Sequence, residues 1–496
     1  MPLTPNAIYK DLENKDLDKP FAIELLLNLL DNSENVETRI ESIKILNKIK
    51  VDDDRTFKFL EHLLISDQNE DVRYLTILVL KNQYLDKAFD PMVWALEHEQ
   101  SLRCLISIIL TLSEINTNQA KSYIIKKLKK FYKKDSNSIL SHLFEKDTLE
   151  NISNKELGDF LINFYILSFL KKTFGYFKFK INEFGHITEL DLSNVERYSS
   201  DLNKLENFLE PILSLKDLKK CDLRFNHLTK MPEILNGSIE FLDLSYNRLA
   251  YLPNLYNFKT LKSLNLKSNR LRNLPKSIGS LISLKDLNIR NNMISFLPKS
   301  INFLSSLQVL DLHGNKLNSI SINLSNSIKE LEIGWNNFDT IPIGLKNLAS
   351  LEKLGFGGNK LTNLPDWIGR YDLLRQLDLY DNKLMKIPES MGSLKSLEKL
   401  NLRNNKLSNL PSSLSNLKSL KILNLSWNNF TILPEWIGTL SSLEELNLWG
   451  NLLEIIPESI ASLSSLKILD LNFNKIRELP PYLKELEQEK GLIIKI

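Results

Sequence analysis

Cysteine is nearly absent from this 496-residue chain: only Cys104 and Cys221 occur. Both stand where the surrounding pattern calls for a buried apolar residue, so they leave no disulfide framework, and a reducing compartment is expected. An excess of charge of one sign is missing too. The 64 basic and 61 acidic residues leave a formal charge of +3, and so small a net charge supplies no global field for nucleic acid. Histidine is sparse, and the six residues (His62, His98, His142, His186, His227 and His313) show no metal-ligand spacing among themselves or with the cysteines. The longest oily run, LGDFLINFYILSFL (157–170), is too short and too polar to span a bilayer and reads as a buried helix. The opening MPLTPNAIYKDLENKD has no apolar signal core. A cytoplasmic chain without metal or cofactor is expected.

What is present is one phrase repeated twelve times between Leu215 and Pro480. Its clearest copies are LEKLNLRNNKLSNLPSSLSNL (397–417), LKILNLSWNNFTILPEWIGTL (420–440) and LEELNLWGNLLEIIPESIASL (443–463). The ninth-position asparagine falls at 226, 247, 269, 292, 315, 336, 359, 382, 405, 428, 451 and 474, at intervals of 21 to 23 residues. Leucines two apart, such as Leu400 and Leu402, share one side of a short strand and point into a core. The asparagine turns the chain off the strand and has an amide that both donates and accepts. Eleven of the twelve repeats then carry a proline, which excludes a sheet on the return side. The following I-x-x-L spacing suits a short helical turn. Because strands pack more closely than helices, the array is expected to bend with its sheet on the inner side.

The L-x-x-L-x-L-x-x-N phrase at this period is that of leucine-rich repeats. With its L-P-x-x-I-x-x-L second half it is similar to the 23-residue, intracellular Ras-interacting class. The resemblance covers 187–480 and implies a horseshoe whose concave sheet binds protein, with a small GTPase among the expected partners.

Earlier in the chain, apolar residues recur at helical spacing from Phe21 to about Leu170, broken by DNSEN, DDD, SDQNED and INTNQ. Three segments open alike and place Arg39, Arg73 and Arg103 at equivalent points, 34 and 30 residues apart. Asp71-Val72-Arg73 resembles the start of the second helix in HEAT-like repeats. The expected architecture is therefore a HEAT-like α-solenoid followed by an α/β leucine-rich repeat horseshoe with a concave parallel sheet. Its expected parts are a loose segment 1–20, the helical domain 21–170, a connecting and capping hairpin plus helix 171–214, the repeats 215–480 and a terminal cap 481–496. After Pro480 only a capping strand is expected.

Two surfaces are candidates for function. On the concave face, strand residues between the core leucines form an acidic or amide column, with a second, mixed column beside it. Gly314, Gly334, Gly355, Gly357 and Gly358 read as a bare patch where a partner approaches closely. The candidate protein-binding residues are Arg290, His313, Trp335, Gly357, Tyr380, Arg403, Trp427, Trp449 and Phe473, since exposed Trp, Tyr and Arg carry interface energy. The second surface is KSYIIKKLKKFYKK (121–134), with seven lysines. There Lys126, Lys127, Lys129, Lys130, Lys133 and Lys134 are candidates for anions, either nucleic acid or a membrane surface. The bland readings are a solvated helix face for the lysines and aromatics that lean on neighbouring repeats.

Catalytic chemistry finds no support. GFGGNKLT (355–362) lacks the phosphate-loop spacing. The acidic column recurs because the scaffold repeats. The leading expectation is a non-catalytic protein-binding scaffold, with anionic attachment through 121–134 and a purely structural module as alternatives.

Overall fold

Each polar break in the first 120 residues supplies a helix cap. Asn35, Asp53, Asn69 and Ser101 accept backbone N–H bonds at the starts of α3 (Val36–Ile49), α4 (Asp54–Ser66), α5 (Glu70–Gln83) and α7 (Leu102–Glu114). Asp18 caps α2 (Lys19–Asn32), and α6 (Phe89–His98), α8 (Asn118–Lys134) and α9 (Asn154–Phe174) complete the array. This computed structural model describes residues 4–134, 149–198, 204–232, 237–320 and 324–496. It divides into two units, Met1–Leu190 with Phe208–Leu218, and Asp191–Asn207 with Lys219–Ile496.

In the first unit α3, α5, α7 and α9 pack in series, each repeat burying its face on the next. The equivalent arginines link these repeats. Arg39 donates to the Ser33 carbonyl at 2.9 Å and pairs with Asp67 at 3.0 Å. Arg73 copies the pattern with the Asp67 carbonyl at 2.9 Å and Glu99 at 2.8 Å. Burial opposes ionisation of Glu99, but Arg73 and the N–H groups of Ser101 and Gln100 hold its carboxyl below the usual range. Arg103 departs from the pattern: it pairs with Asp71 at 2.8 Å and lies 3.8 Å over the Tyr74 ring.

Two expectations change at the chain's ends. Residues 1–20 are not a loose lead-in throughout, since Pro5–Glu13 form α1, capped by Thr4 and burying Ile8. After Pro480 there is more than a strand: α11 (Pro481–Lys490) buries Leu483 before β15 (Ile493–Lys495) pairs with the last repeat. The expected hairpin forms from β1 (Lys178–Ile181) and β2 (Ile187–Asp191), turning at Asn182 and Gly185. A helix, α10 (Glu206–Leu213), follows it.

In the second unit every repeat contributes a three-residue strand, from β3 (Lys220–Asp222) to β14 (Ile468–Asp470), paired parallel and in order. Register is strict: Leu377 faces Leu400, which faces Leu423. The leucines point inward and are buried, while the residue between them faces out. The return side carries 3₁₀ turns rather than α-helix, each entered from its proline, as at Lys276–Ser280 after Pro275 and Glu435–Thr439 after Pro434. The closely packed strands lie opposite these wider turns, as in an open horseshoe with the sheet inside.

The ladder asparagines hold this together. The Asn405 amide donates to the carbonyls of Leu379 (3.0 Å), Leu402 (3.0 Å) and Arg403 (3.3 Å), and its Oδ1 accepts from the Leu384 N–H at 3.0 Å. Asn428 repeats this with Leu402, Leu425, Ser426 and Leu407. The column is buried from Asn226 to Asn451. Replacing Asn405 with alanine strands the Leu384 N–H and takes one donor from each of three carbonyls, which keep Asn382 at Leu379, Asn428 at Leu402 and the Asp381 N–H at Arg403. At about 1–3 kcal/mol for the unsatisfied N–H and about 0.5–1.5 kcal/mol for each hydrogen bond lost, Asn405→Ala is expected to cost at least about 2 kcal/mol in urea unfolding. A loss below about 1 kcal/mol would show that the ladder is not needed.

Candidate functional site

Part of the outward acidic and amide column is structural. Asp243, Asn265, Asn288, Asp311, Asn424 and Asn447 each accept the backbone N–H two residues on, at 2.8–3.1 Å, ending the strand with a local turn. Glu332 and Gly355 break that series, and they flank the middle of the arc.

The residue before each ladder asparagine is forced into left-handed backbone. Gly314, Gly358 and Gly450 adopt it readily, and Asn291, Asp381 and Asn404 tolerate it. Five aromatics occupy the same place: Phe225 (φ 61°), Tyr246 (56°), Trp335 (52°), Trp427 (54°) and Phe473 (55°). Side chains there cost about 1–2 kcal/mol, so this row is strained. Local strain of this kind gathers at working surfaces. All five rings remain 40–78% exposed.

The candidates divide into two clusters. In the middle, the Trp335 indole lies across Gly358, and its Nε1 donates to Tyr380 Oη at 3.3 Å. The Tyr380 ring in turn covers Gly357, where a Cβ would sit 2.2 Å from the ring. The bare glycine patch is therefore corrected: neighbouring side chains fill it, His313 over Gly334 and Glu332 over Gly355 as well. The glycines let these side chains lie flat, and Gly357 itself is buried. Towards the end of the array, Trp427, Trp449 and Phe473 form an edge-to-face run with centroids 5.0 and 5.7 Å apart, and Arg403 is exposed one repeat earlier. The aromatics do lean on their neighbours, yet they keep open faces.

A third pair escaped the sequence reading. Phe225 and Tyr246 stack at 4.4 Å, with the Lys267 ammonium 5.3 Å from the Tyr246 ring. Their position before the ladder asparagine was the available signal.

Beside Trp335 and Tyr380 lies a groove of about 410 Å³ whose lining includes Arg290, His313, Lys353, Tyr380 and several carboxylates. Glu332 pairs with Lys353 at 2.8 Å. Burial raises the carboxyls of Asp286, Asp311 and Glu332. Burial, with Arg290 and Lys267 adding to it, lowers His313 to about 4, which leaves a neutral imidazole.

The lysine-rich helix is less available than its composition implies. Lys126, Lys129 and Lys130 are exposed, but Lys127 is buried against Glu97 at 2.5 Å and is withdrawn as an anion ligand. The Lys133 and Lys134 side chains lie outside the described residues. Burial pushes the Cys104 thiol up to about 12 and the Cys221 thiol up as well, so neither is a ready nucleophile. Among the described residues no group of three or more His, Cys, Asp or Glu could hold a metal, and no helix is long and apolar enough to cross a membrane.

Comparison with known proteins agrees with the repeat. The model of the "Leucine-rich repeat region" matches residues 238–364 and 359–454, and that of "Leucine Rich repeats (2 copies)" matches 441–484. No curated protein matches the chain. Among solved structures, a leucine-rich repeat protein of Leptospira interrogans is 28% identical, covering 62% of this chain and 95% of its own, with a TM-score of 0.46. YopM from Yersinia enterocolitica is 26% identical over 59% of this chain and 66% of its own, with a TM-score of 0.40. The functional domain of InlJ from Listeria monocytogenes is 22% identical over 62% and 63%, with a TM-score of 0.46.

If the aromatic row is strained rather than structural, removing its most exposed ring should cost the fold little. Relief of about 1–2 kcal/mol offsets the loss of an aromatic pair of about 0.5–1.5 kcal/mol. Phe473→Gly is thus expected to unfold within about 1 kcal/mol of wild type, and a loss above about 2 kcal/mol would assign Phe473 to the core instead.

Proposed function

Because this chain is a leucine-rich repeat protein, we propose that it is a non-catalytic scaffold whose concave sheet binds a protein partner. Leucine-rich horseshoes are characteristically protein-binding modules. The observation that carries the reading is the strained row of exposed aromatics. Trp335, Trp427 and Phe473 hold positions that glycine, asparagine or aspartate would fill at lower conformational cost. Trp335 with Tyr380, and Trp427 with Trp449 and Phe473, form two anchors, with His313 and Arg290 beside the first and Arg403 beside the second.

Finer points belong to the same proposal. The L-P-x-x-I-x-x-L half supports membership of the intracellular Ras-interacting class, with a small GTPase or signalling assembly as partner and the cytoplasm as its place. The linked helix pairs of the first unit, with their repeated arginine bridges, support a HEAT-like solenoid there. Anionic attachment through Lys126, Lys129 and Lys130 is the competing reading, because these three share an exposed stretch of α8.

Affinity capture from native lysate at two salt concentrations separates the two. Wild type is compared with the Trp335→Ala/Tyr380→Ala/Trp427→Ala/Trp449→Ala variant, its fold checked by circular dichroism. Loss of a discrete protein partner in the variant, with capture by wild type surviving high salt, is the expected result. Capture that ignores the four substitutions and vanishes at high salt would transfer the function to the lysine helix.

A further inference from the structure

We infer that the groove beside Trp335 and Tyr380 takes a basic, arginine-bearing segment of the protein partner. This rests on the reading that the concave face binds protein, and it specifies the chemistry of what is bound.

Charge complementarity carries the argument. The groove is lined by five carboxylates, Asp286, Asp311, Glu330, Glu332 and Asp378, against two cations, Arg290 and Lys353. Lys353 is already committed to Glu332 at 2.8 Å. Asp286 and Asp311 have no ion-pair partner among the described residues. Asp286 meets only the Ser263 hydroxyl at 3.5 Å, and Asp311 the His313 N–H at 3.0 Å. Carboxylates therefore outnumber cations in the groove, and two half-buried ones lack an ion pair, in a chain whose overall charge is slightly positive.

The shape of the wall selects among cations. Tyr380 lines the groove, its ring held flat across Gly357 by the glycine's missing Cβ and fixed by the bond its hydroxyl accepts from Trp335, which lies alongside and is 53% exposed. A fixed aromatic ring among carboxylates suits a planar guanidinium, which stacks on the ring while its N–H fork meets the acids. An ammonium satisfies the charge but not the plane. Nucleic acid is repelled by the same carboxylates. A metal ion is not the occupant argued here, since no suitable ligand group exists among the described residues. His313 strengthens the selection: kept neutral by burial and by its cationic neighbours, it adds no positive charge at neutral pH.

The test is selection of a phage-displayed library of random dodecapeptides on the full chain, followed by binding measurements with the enriched synthetic peptides. Enriched sequences are expected to carry arginine, and to bind more tightly than lysine-substituted versions. Their affinity should fall about tenfold or more, roughly 1.4 kcal/mol, in Asp311→Asn/Glu332→Gln. It should fall equally in Trp335→Ala. The Glu485→Gln/Glu487→Gln variant loses the same two charges on exposed α11 and should bind as wild type. Isosteric neutralisation of half-buried carboxylates is compatible with folding, checked by urea unfolding, and Asp286→Asn serves as the second groove variant if the double variant unfolds. Enrichment of neutral or acidic peptides that still require Trp335 would overturn the basic chemistry while leaving the concave face as the binding surface. Arginine peptides that bind equally to both double variants would also overturn it, as attraction to bulk charge. An absence of any peptide sensitive to Trp335→Ala would overturn this inference and count against the aromatic-face reading beneath it.

Discussion

One buried amide per repeat is the interaction on which the second unit depends. A three-residue strand has too few ladder bonds to hold its own register, and the turn that follows leaves carbonyls in the interior. Each ladder asparagine satisfies carbonyls of its own repeat and of the one before, and accepts an N–H from the preceding loop. Asn405 joins Leu379 and Leu384 to Leu402 in this way. Bonds of this pattern make the leucine core a stack instead of a set of unconnected loops. Prolines then exclude a second sheet on the return side, and the narrower strand side becomes the inner face.

The same constraint dictates what the inner face can display. With register fixed, outward residues fall into columns one strand apart, and the residue before each asparagine is held in left-handed backbone. Glycine, asparagine and aspartate answer that demand at Gly450, Asn404 and Asp381. Trp335, Trp427 and Phe473 do not, and their rings are left open to solvent. The strain is local and is supported by the ladder beneath it. Around Trp335 the glycines complete the arrangement, because Gly357 and Gly358 let aromatic rings from neighbouring repeats lie flat against the sheet.

The repeat itself was legible because its period, its paired leucines and its asparagine are all fixed by nearest-neighbour physics. What was not legible arose from contacts between side chains far apart in sequence or from short elements with weak patterns. The glycine patch looked bare because Trp335 and Tyr380 are 45 residues apart, and nothing in either repeat shows that the two side chains meet. Lys127 looked free because its partner Glu97 lies on a different helix. Helices α1 and α11 were missed because each is short, polar and anchored by few buried residues, Ile8 in the first and Leu483 in the second. The importance of the Phe225–Tyr246 stack depends on backbone geometry that composition does not reveal.

Ladder amides couple adjacent repeats and so hold the inner face in shape. Native-state hydrogen exchange of wild type and an Asn382→Ala variant tests this coupling most directly. Asn382 donates to the carbonyls of Phe356, Leu379 and Tyr380 and accepts from the Leu361 N–H. Exchange is expected to quicken across the repeats on either side of Asn382, including the Trp335–Tyr380 region, with protection retained near Asn226 and Asn247. Loss of protection confined to Asn382 itself, or spread evenly over all twelve repeats, would contradict the coupling.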